Sequence, residues 1–385
     1  MKIYVMTHKP FIPPKDKIYV PLHAGRAISD ELGYLGDNTG ENISELNPYF
    51  GELTGLYWIW QNDLDSDYIG ICHYRRYYLN NEDDIMNEAE FRDILDRYDC
   101  MSSDLLVSKK NNYEGYISSH NEKDLRILKD SLIRLYPEYE SSYDSYMQDY
   151  SSCYSNLCVM PKDMYRQYCS WLFKILFHAS ETIDVSDYDL YHKRVYGFLS
   201  EMLLDIYIRH NKLNVCRNPV GTFGDKAETN ELISAVGVLV GEGKFREARD
   251  LCEGIISIRP DIILPMSDSK RRVPIVEHIV CILDLENKAG YTGMVKASKD
   301  IGRLIEYYRN THRILSGEIS RDNIDYLLDR GFSPYMAMVM IENDIAAGID
   351  EMPIDRDRAM ENLRKIFDRE GYALFEKLVK NLSHI

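Results

Sequence analysis

The run Tyr68-Ile69-Gly70-Ile71-Cys72 is apolar without a break and gives way at once to His73-Tyr74-Arg75-Arg76-Tyr77. A strand with no polar alternation has to be covered on both faces, as happens in mostly parallel sheets flanked by helices. That constraint predicts an α/β fold, and in open sheets of this kind ligands bind beyond the C-terminal ends of the strands. The cationic string falls at such an end.

Neighbouring segments continue the alternation. Lys2 to Met6 predicts a buried strand ending at Thr7-His8-Lys9-Pro10, and Tyr19 to Leu22 a second short one. Residues 33–47, rich in Gly, Asn and Asp, predict a loop long enough to be functional. From Pro48 the spacing of Leu53, Leu56, Tyr57 and Trp60 predicts a helix closed by Asn62-Asp63. Helices are further predicted over 90–98, 121–136, 162–177 and 191–208, and strands over 104–108 and 153–160.

After Gly224 apolar residues recur only at helical spacing, so an all-α second domain is expected, with boundaries at 1–223 and 224–385. A chain of 385 residues is long enough for two cores. Gly243, Phe245, Ala248 and Pro260 sit where a tetratricopeptide-type hairpin would have them, although one such unit fits an irregular helical bundle equally well.

Composition narrows the function. A net charge of -16 repels a phosphate backbone and disfavours nucleic acid as a partner. The eight cysteines show no C-x-x-C pair or metal-ligand spacing, so reduced, buried thiols are expected rather than zinc or disulfides. No apolar run reaches the ~20 residues of a transmembrane segment, and MKIYVMTHKP enters a strand pattern directly, without a signal-peptide core. The expectation is a cytoplasmic protein, with peripheral attachment at the inner face of the membrane left open. Thirty tyrosines against 11 phenylalanines supply rings that pack on one side and hydrogen-bond on the other, suited to a sugar-lined cleft or to partly exposed packing.

Several residues could carry chemistry. Thr7 and His8 after the first strand, with Asp37, Asn42 and Ser44 on the polar loop, can hydrogen-bond a base and ribose, as they could cap an ordinary turn. Arg75 and Arg76, beside His73, offer fork donors matched to phosphate oxygens at a place where a metal-binding Asp-x-Asp often lies. A diphosphate clamp that needs no metal and no cofactor is therefore expected; a structural ion pair with this chain's carboxylates is the alternative. Asp65-Ser66-Asp67 matches Asp-x-Asp literally but precedes the strand, at its far end. Asp187-Tyr188-Asp189, next to His192, keeps open a catalytic role or a Mn or Mg site.

Tyr191, Arg194, Phe198 and Glu201 follow at helical steps and share a face. Glu201 breaks the apolar stretch VYGFLSEMLLDIYI, where a carboxylate has to be paired or functional. It is the candidate base, with Arg194 placed to orient or neutralise it; a structural pairing with Arg75, Arg76 or Arg194 is the competing role. Glu52, Tyr57, His120, Asn156 and Arg194 are candidate contacts for sugar hydroxyls, and surface, capping or strand-end roles would account for them too.

Read in order, Thr7-His8-Lys9, DNTGENISELNPYFGELTGLYWIWQN, DYIGICHYRRYY, SNLCVM with YCSWLF, and YHKRVYGFLSEMLL resemble a family of bacterial proteins known as a domain of unknown function. Its members occur among capsular, exopolysaccharide and O-antigen biosynthesis proteins. The resemblance spans residues 2 to 220 and implies a GT-A-like (Rossmann-like) nucleotide-sugar domain. It further implies a glycosyltransferase, here a hexosyltransferase, moving galactose, galactofuranose or a related sugar from a UDP-sugar to a growing, lipid-linked glycan. The family's strings map onto Glu41 to Ser44, Asn47 to Trp58 and His73 to Tyr77, and its Glu-Arg-Leu-like string onto Glu201 to Leu203. Met202 departs from the arginine of that string, which puts the charge environment of Glu201 in question, and Leu157 departs from a methionine. Nothing is implied for residues 224–385, through which a protein partner could dock. A non-catalytic nucleotide-sugar or carbohydrate-binding subunit that recruits assembly partners is the alternative function.

Overall fold

Ile69 and Ile71 face one hydrophobic layer and Cys72 the other, so the unbroken apolar run is buried from both sides. The computed structural model describes residues 1–153, 155–263, 267–268, 270–317, 333–347, 354–366 and 373. It divides into two compact units, Met1–Phe223 and Gly224–Ile385.

The strands of the first unit are β1 (Lys2–Thr7), β2 (Tyr19–His23), β3 (Leu35–Gly36), β4 (Tyr68–His73), β5 (Arg76–Tyr78), β6 (Cys100–Ser103), β7 (Leu106–Val107), β8 (Ser151–Ser152), β9 (Cys158–Pro161), β10 (Val215–Asn218) and β11 (Val220–Thr222). Its helices are α1 (Asn47–Phe50), α2 (Leu53–Asn62), α3 (Glu88–Leu95), α4 (Asn112–Ile117), α5 (Glu122–Leu135), α6 (Glu140–Gln148), α7 (Lys162–Ser180) and α8 (Val195–His210).

The main sheet runs β10-β6-β9-β4-β1-β2-β3, with β5 folded back on β4 and carrying β11. Strands β4, β1, β2 and β3 are parallel, whereas β9 is antiparallel to both β4 and β6. Tyr4 and Met6 of β1 join Ile69 and Ile71 under α2, α5, α7 and α8, through residues such as Leu56, Leu128, Leu172 and Leu203. Ile3, Val5 and Cys72 face the opposite layer, which α3 covers with Phe91 and Leu95. The period-two alternation is that of pleated strands, and the result is a Rossmann-like α/β unit.

Register decides where the site can form. The parallel strands β1, β2 and β4 all finish on one edge. Because β9 runs the other way, with Cys158 opposite Ile71, the residues just before β9 arrive at that same edge.

Three elements differ from the sequence reading. The helix expected from Pro48 is split at Gly51, whose φ of 56 and ψ of -134 place it where a side chain is strained; its N–H still bonds Asn47 O at 2.8 Å. Of the strand expected over 104–108 only the two-residue β7 forms, off the main sheet; the main-sheet strand lies earlier, in β6, where Ser102 is accepted in the core because its hydroxyl donates to Leu157 O at 3.2 Å. Leu106 and Val107 are exposed and pair only with β8. The strand expected over 153–160 begins at Cys158, since Ser155 and Asn156 turn through left-handed φ values of 75 and 51. A further close approach is visible at Gly55, where a Cβ would lie 2.5 Å from Met6 Sδ, so α2 sits tightly on β1.

The described residues of the second unit form α9 (Ala227–Gly241), α10 (Phe245–Ile258), α11 (Arg272–Lys288), α12 (Gly293–Ala297), α13 (Ile301–Ser316), α14 (Pro334–Ala347) and α15 (Arg356–Ile366). They enclose their own core around Val236, Ala248, Ile279, Leu283 and Tyr307. A turn at Gly243, with φ of 77, joins α9 to α10, and Phe245, Ala248 and Cys252 bury one face of α10. Among the described residues no helix is long and apolar enough to cross a membrane.

Candidate active site

Tyr74 and Arg75 turn the chain so that Arg76 of β5 lies opposite His73 of β4. Residues directly opposite in an antiparallel pair share a face, and the alternation from Ile69 and Ile71 puts His73 on the helical side. Four other pieces of chain converge there. The break at Gly51 delivers Glu52 at the start of α2, the left-handed turn before β9 delivers Ser155 and Asn156, a single 3-10 turn (His192–Arg194) delivers Arg194, and α8 delivers Ser200 and Glu201.

Their contacts interlock. Asn156 Nδ2 donates to Glu52 Oε1 at 3.2 Å and to Ser200 Oγ at 2.8 Å, and the Ser200 hydroxyl passes its own hydrogen to Gly197 O at 2.7 Å. Arg194 Nη2 stands 3.7 Å from the other Glu52 oxygen. Arg76 Nη1 donates to the Ser155 hydroxyl.

Burial among these charges separates the acidities. Burial and the neighbouring Glu52 charge push Glu201 up to about 7, against the opposing pull of Arg76, Arg194 and the Ser155 backbone. Burial would raise Glu52 as well, yet charged His73, Arg194, a backbone N–H and Asn156 together hold it below the usual carboxylate range. Burial lowers His73 to about 4, so near neutral pH the imidazole carries no charge. In that range Arg194 and Asn156 do the holding. Two carboxyl groups of opposite tendency are the pattern of a fixed charge beside a proton acceptor poised near neutrality.

The remaining sequence candidates fall around this cluster or away from it. Arg75 is buried in the turn, close enough for its charge to oppose that of Arg76, and its carbonyl accepts from Phe223 N at 2.8 Å. Thr7 closes β1 and its carbonyl accepts from Ala24 N at 3.0 Å, while the His8 ring meets Tyr74 edge-on at 5.5 Å. Asp37 is fully buried; it accepts from the N–H groups of Gly25 and Arg26, at 2.9 and 3.0 Å, and from the Ser44 hydroxyl. Ser44 Oγ also accepts from Ala27 N at 3.0 Å, and Asn42 Nδ2 donates to Gly40 O at 3.0 Å. Asp37 and Ser44 thus shape the backbone of residues 25–27.

Tyr57 lies in the layer between α2 and α7, its ring against Phe173 at 5.1 Å and its hydroxyl donating to Glu41 Oε1 at 3.1 Å. His120 stacks on Phe198 at 4.3 Å, and Phe198 in turn lies under Arg194 at 5.7 Å, so His120 borders the cluster through one ring. Asp189 accepts from the N–H groups of Tyr191 and His192 and pairs with His192 Nδ1 at 2.6 Å. Asp187 is exposed. No group of three or more His, Cys, Asp or Glu side chains is placed to hold a metal among the described residues. Ser155 and Ser200 escaped the sequence reading; the Ser155-Asn156 dipeptide, with an asparagine tolerant of left-handed backbone, was the available sign of a turn.

A family model described as "Domain of unknown function (DUF4422)" matches residues 2–212. The chain belongs to this family. The DUF4422 portion contains every residue of the cluster, from Glu52 to Glu201. A solved structure described as the apo form of the WbbM bifunctional glycosyltransferase is similar, with a TM-score of 0.55 and 31% identity over 58% of this chain and 45% of that one. This chain therefore spans less than half the length of that relative. The comparison with curated proteins gave no match.

Proposed function

We propose that the DUF4422 unit is a glycosyltransferase that takes a hexose, galactose or galactofuranose in particular, from a UDP-sugar and joins it to a hydroxyl of a growing surface-polysaccharide glycan. The observation that carries the reading is the Glu52 and Glu201 pair, half-buried beside Arg76 and Arg194 at the strand edge. The likeness to a bifunctional glycosyltransferase at 31% identity supports it.

In this reading the acceptor oxygen bonds to the anomeric carbon while the bond from that carbon to the diphosphate oxygen breaks. The electron pair leaves with UDP, and the hydroxyl proton passes to Glu201. Arg75 and Arg76 offset the charge gathering on the diphosphate, without a metal. Glu52, held ionised, faces the positive charge that develops on the sugar ring. The acceptor is lipid-linked and met at the inner face of the membrane, with the protein cytoplasmic, and the helical unit is the surface for a protein partner.

UDP release by the purified chain from UDP-galactose, UDP-galactofuranose and other UDP-hexoses tests the reading. Release is expected in the wild type and is expected to fall by about a hundredfold or more in Glu201→Gln, the range for loss of a general base. Binding of UDP-sugars without release in any condition would point to the non-catalytic subunit instead.

A further inference from the structure

Two buried polar atoms at the Glu52 corner, Asn156 Oδ1 and His73 Nε2, have no partner among the described residues. Asn156 is only 2% exposed, and a carbonyl at that depth is costly unless something donates to it. The orientation of the amide is not free. A carboxylate only accepts, so the NH2 end must face Glu52 and the carbonyl end is the one left over.

His73 follows the same logic. The Ser155 backbone bonds the ring in the sense that favours its proton, so it is a carbonyl receiving a ring N–H. Nε2 is the ring nitrogen without a partner, and with the hydrogen on Nδ1 it presents a lone pair.

Both leftover atoms are acceptors, set beside two carboxyl groups. An ionised phosphate has only acceptor oxygens and is repelled from such a corner; a hydroxyl, which donates, fits it. The backbone is shaped to the purpose. Ser155 and Asn156 are consecutive non-glycine residues in the left-handed region, a conformation that persists only where the surroundings impose it. Arg76 on the Ser155 hydroxyl, and Glu52 and Ser200 on the Asn156 amide, impose it here.

We infer that Asn156 and His73 form a hydroxyl-recognition corner, in which Asn156 Oδ1 and His73 Nε2 each accept a hydrogen bond from a sugar hydroxyl. The sugar belongs to the donor or to the acceptor, and the diphosphate lies outside the corner. The inference rests on the glycosyl-transfer reading and adds to it the two atoms that select the sugar.

Calorimetry on the full chain compares the wild type with Asn156→Gly, which tolerates the left-handed backbone, and with His73→Phe, which keeps a ring but no acceptor. The ligands are UDP alone, UDP-galactose, UDP-galactofuranose, and methyl galactoside added to the UDP complex. UDP alone should bind all three proteins within about twofold, while the sugar-bearing ligand preferred by the wild type should weaken about fivefold or more in each variant, as loss of a buried hydrogen bond implies. A loss confined to methyl galactoside assigns the same corner to the acceptor. Unchanged sugar binding in both variants, or an equal loss of UDP itself, overturns the assignment. A wild type that binds no UDP-sugar better than UDP and releases no UDP overturns the transfer reading beneath it.

Discussion

Glu52 and Glu201 share the charges of Arg76 and Arg194 inside one half-buried cluster, and their carboxyl groups are driven to opposite acidities. Asn156 and a backbone N–H favour the Glu52 anion, so its charge penalises a second one on Glu201. One site thereby holds a standing negative charge and a group ready to take a proton.

The guanidinium pair carries the first prediction. Arg75→Ala combined with Arg76→Ala should remove measurable UDP-sugar binding by calorimetry, because two fork donors for the diphosphate are lost. Turnover should persist in EDTA. Unchanged affinity in the double variant, or loss of turnover that manganese restores, would count against a metal-free clamp.

Gly51 sets the entry of α2. Its φ of 56 is strained for any side chain, and a Cβ there would stand 3.4 Å from Arg194 Nη2. Gly51→Ala should cost about 1–2 kcal/mol, read as a lower urea midpoint at unchanged slope. It should also weaken turnover by disturbing Glu52. Wild-type stability would show that the break does not need glycine.

Asp205 on α8 is fully buried and bonded to Arg217 of β10, with Arg209 at 3.7 Å. Asp205→Ala leaves an arginine with its charge uncompensated and should destabilise the unit by about 3–5 kcal/mol. Thermal unfolding checks this. A shift within the scatter of surface variants would mean that water replaces the carboxylate.

The sheet was legible because a strand covered on both faces has to be apolar throughout, and β4 is. The end of that strand could be named as a candidate site for the same reason, and Glu201 stood out as one of two carboxylates, with Asp205, in a largely apolar helix. Less visible was the gathering of Glu52 and Asn156 with it, which depends on β9 running antiparallel and on two left-handed residues before it. Periodicity does not report strand direction. Asp37 read as a candidate ligand group because its loop is polar, whereas burial turns its carboxylate inward onto N–H groups of residues 25 and 26.

The acidity of Glu201 has a consequence for stability. Its folded value of about 7 lies above the ordinary 4.5, so between those values the folded state holds a proton that the unfolded state has released. Stability contributed by the protonated carboxyl is complete below 4.5 and is lost as the pH rises through 7. Glu201→Gln, which cannot ionise, should therefore be more stable than the wild type at pH 8, by on the order of 3 kcal/mol, and nearly equal to it at pH 4.5. Denaturant unfolding at the two pH values decides; a variant less stable at pH 8 would place an unscreened need for the anion in the fold itself.

The pH dependence of kcat/KM for UDP release tests the central claim most directly, since it reports the base in the free enzyme. The wild type should rise tenfold per pH unit below about 7 and level off above it, with Glu201→Gln slow and flat across the same range. A wild-type profile without that limb, or a Glu201→Gln variant that keeps both the limb and the rate, would contradict the assignment of Glu201 as the proton acceptor.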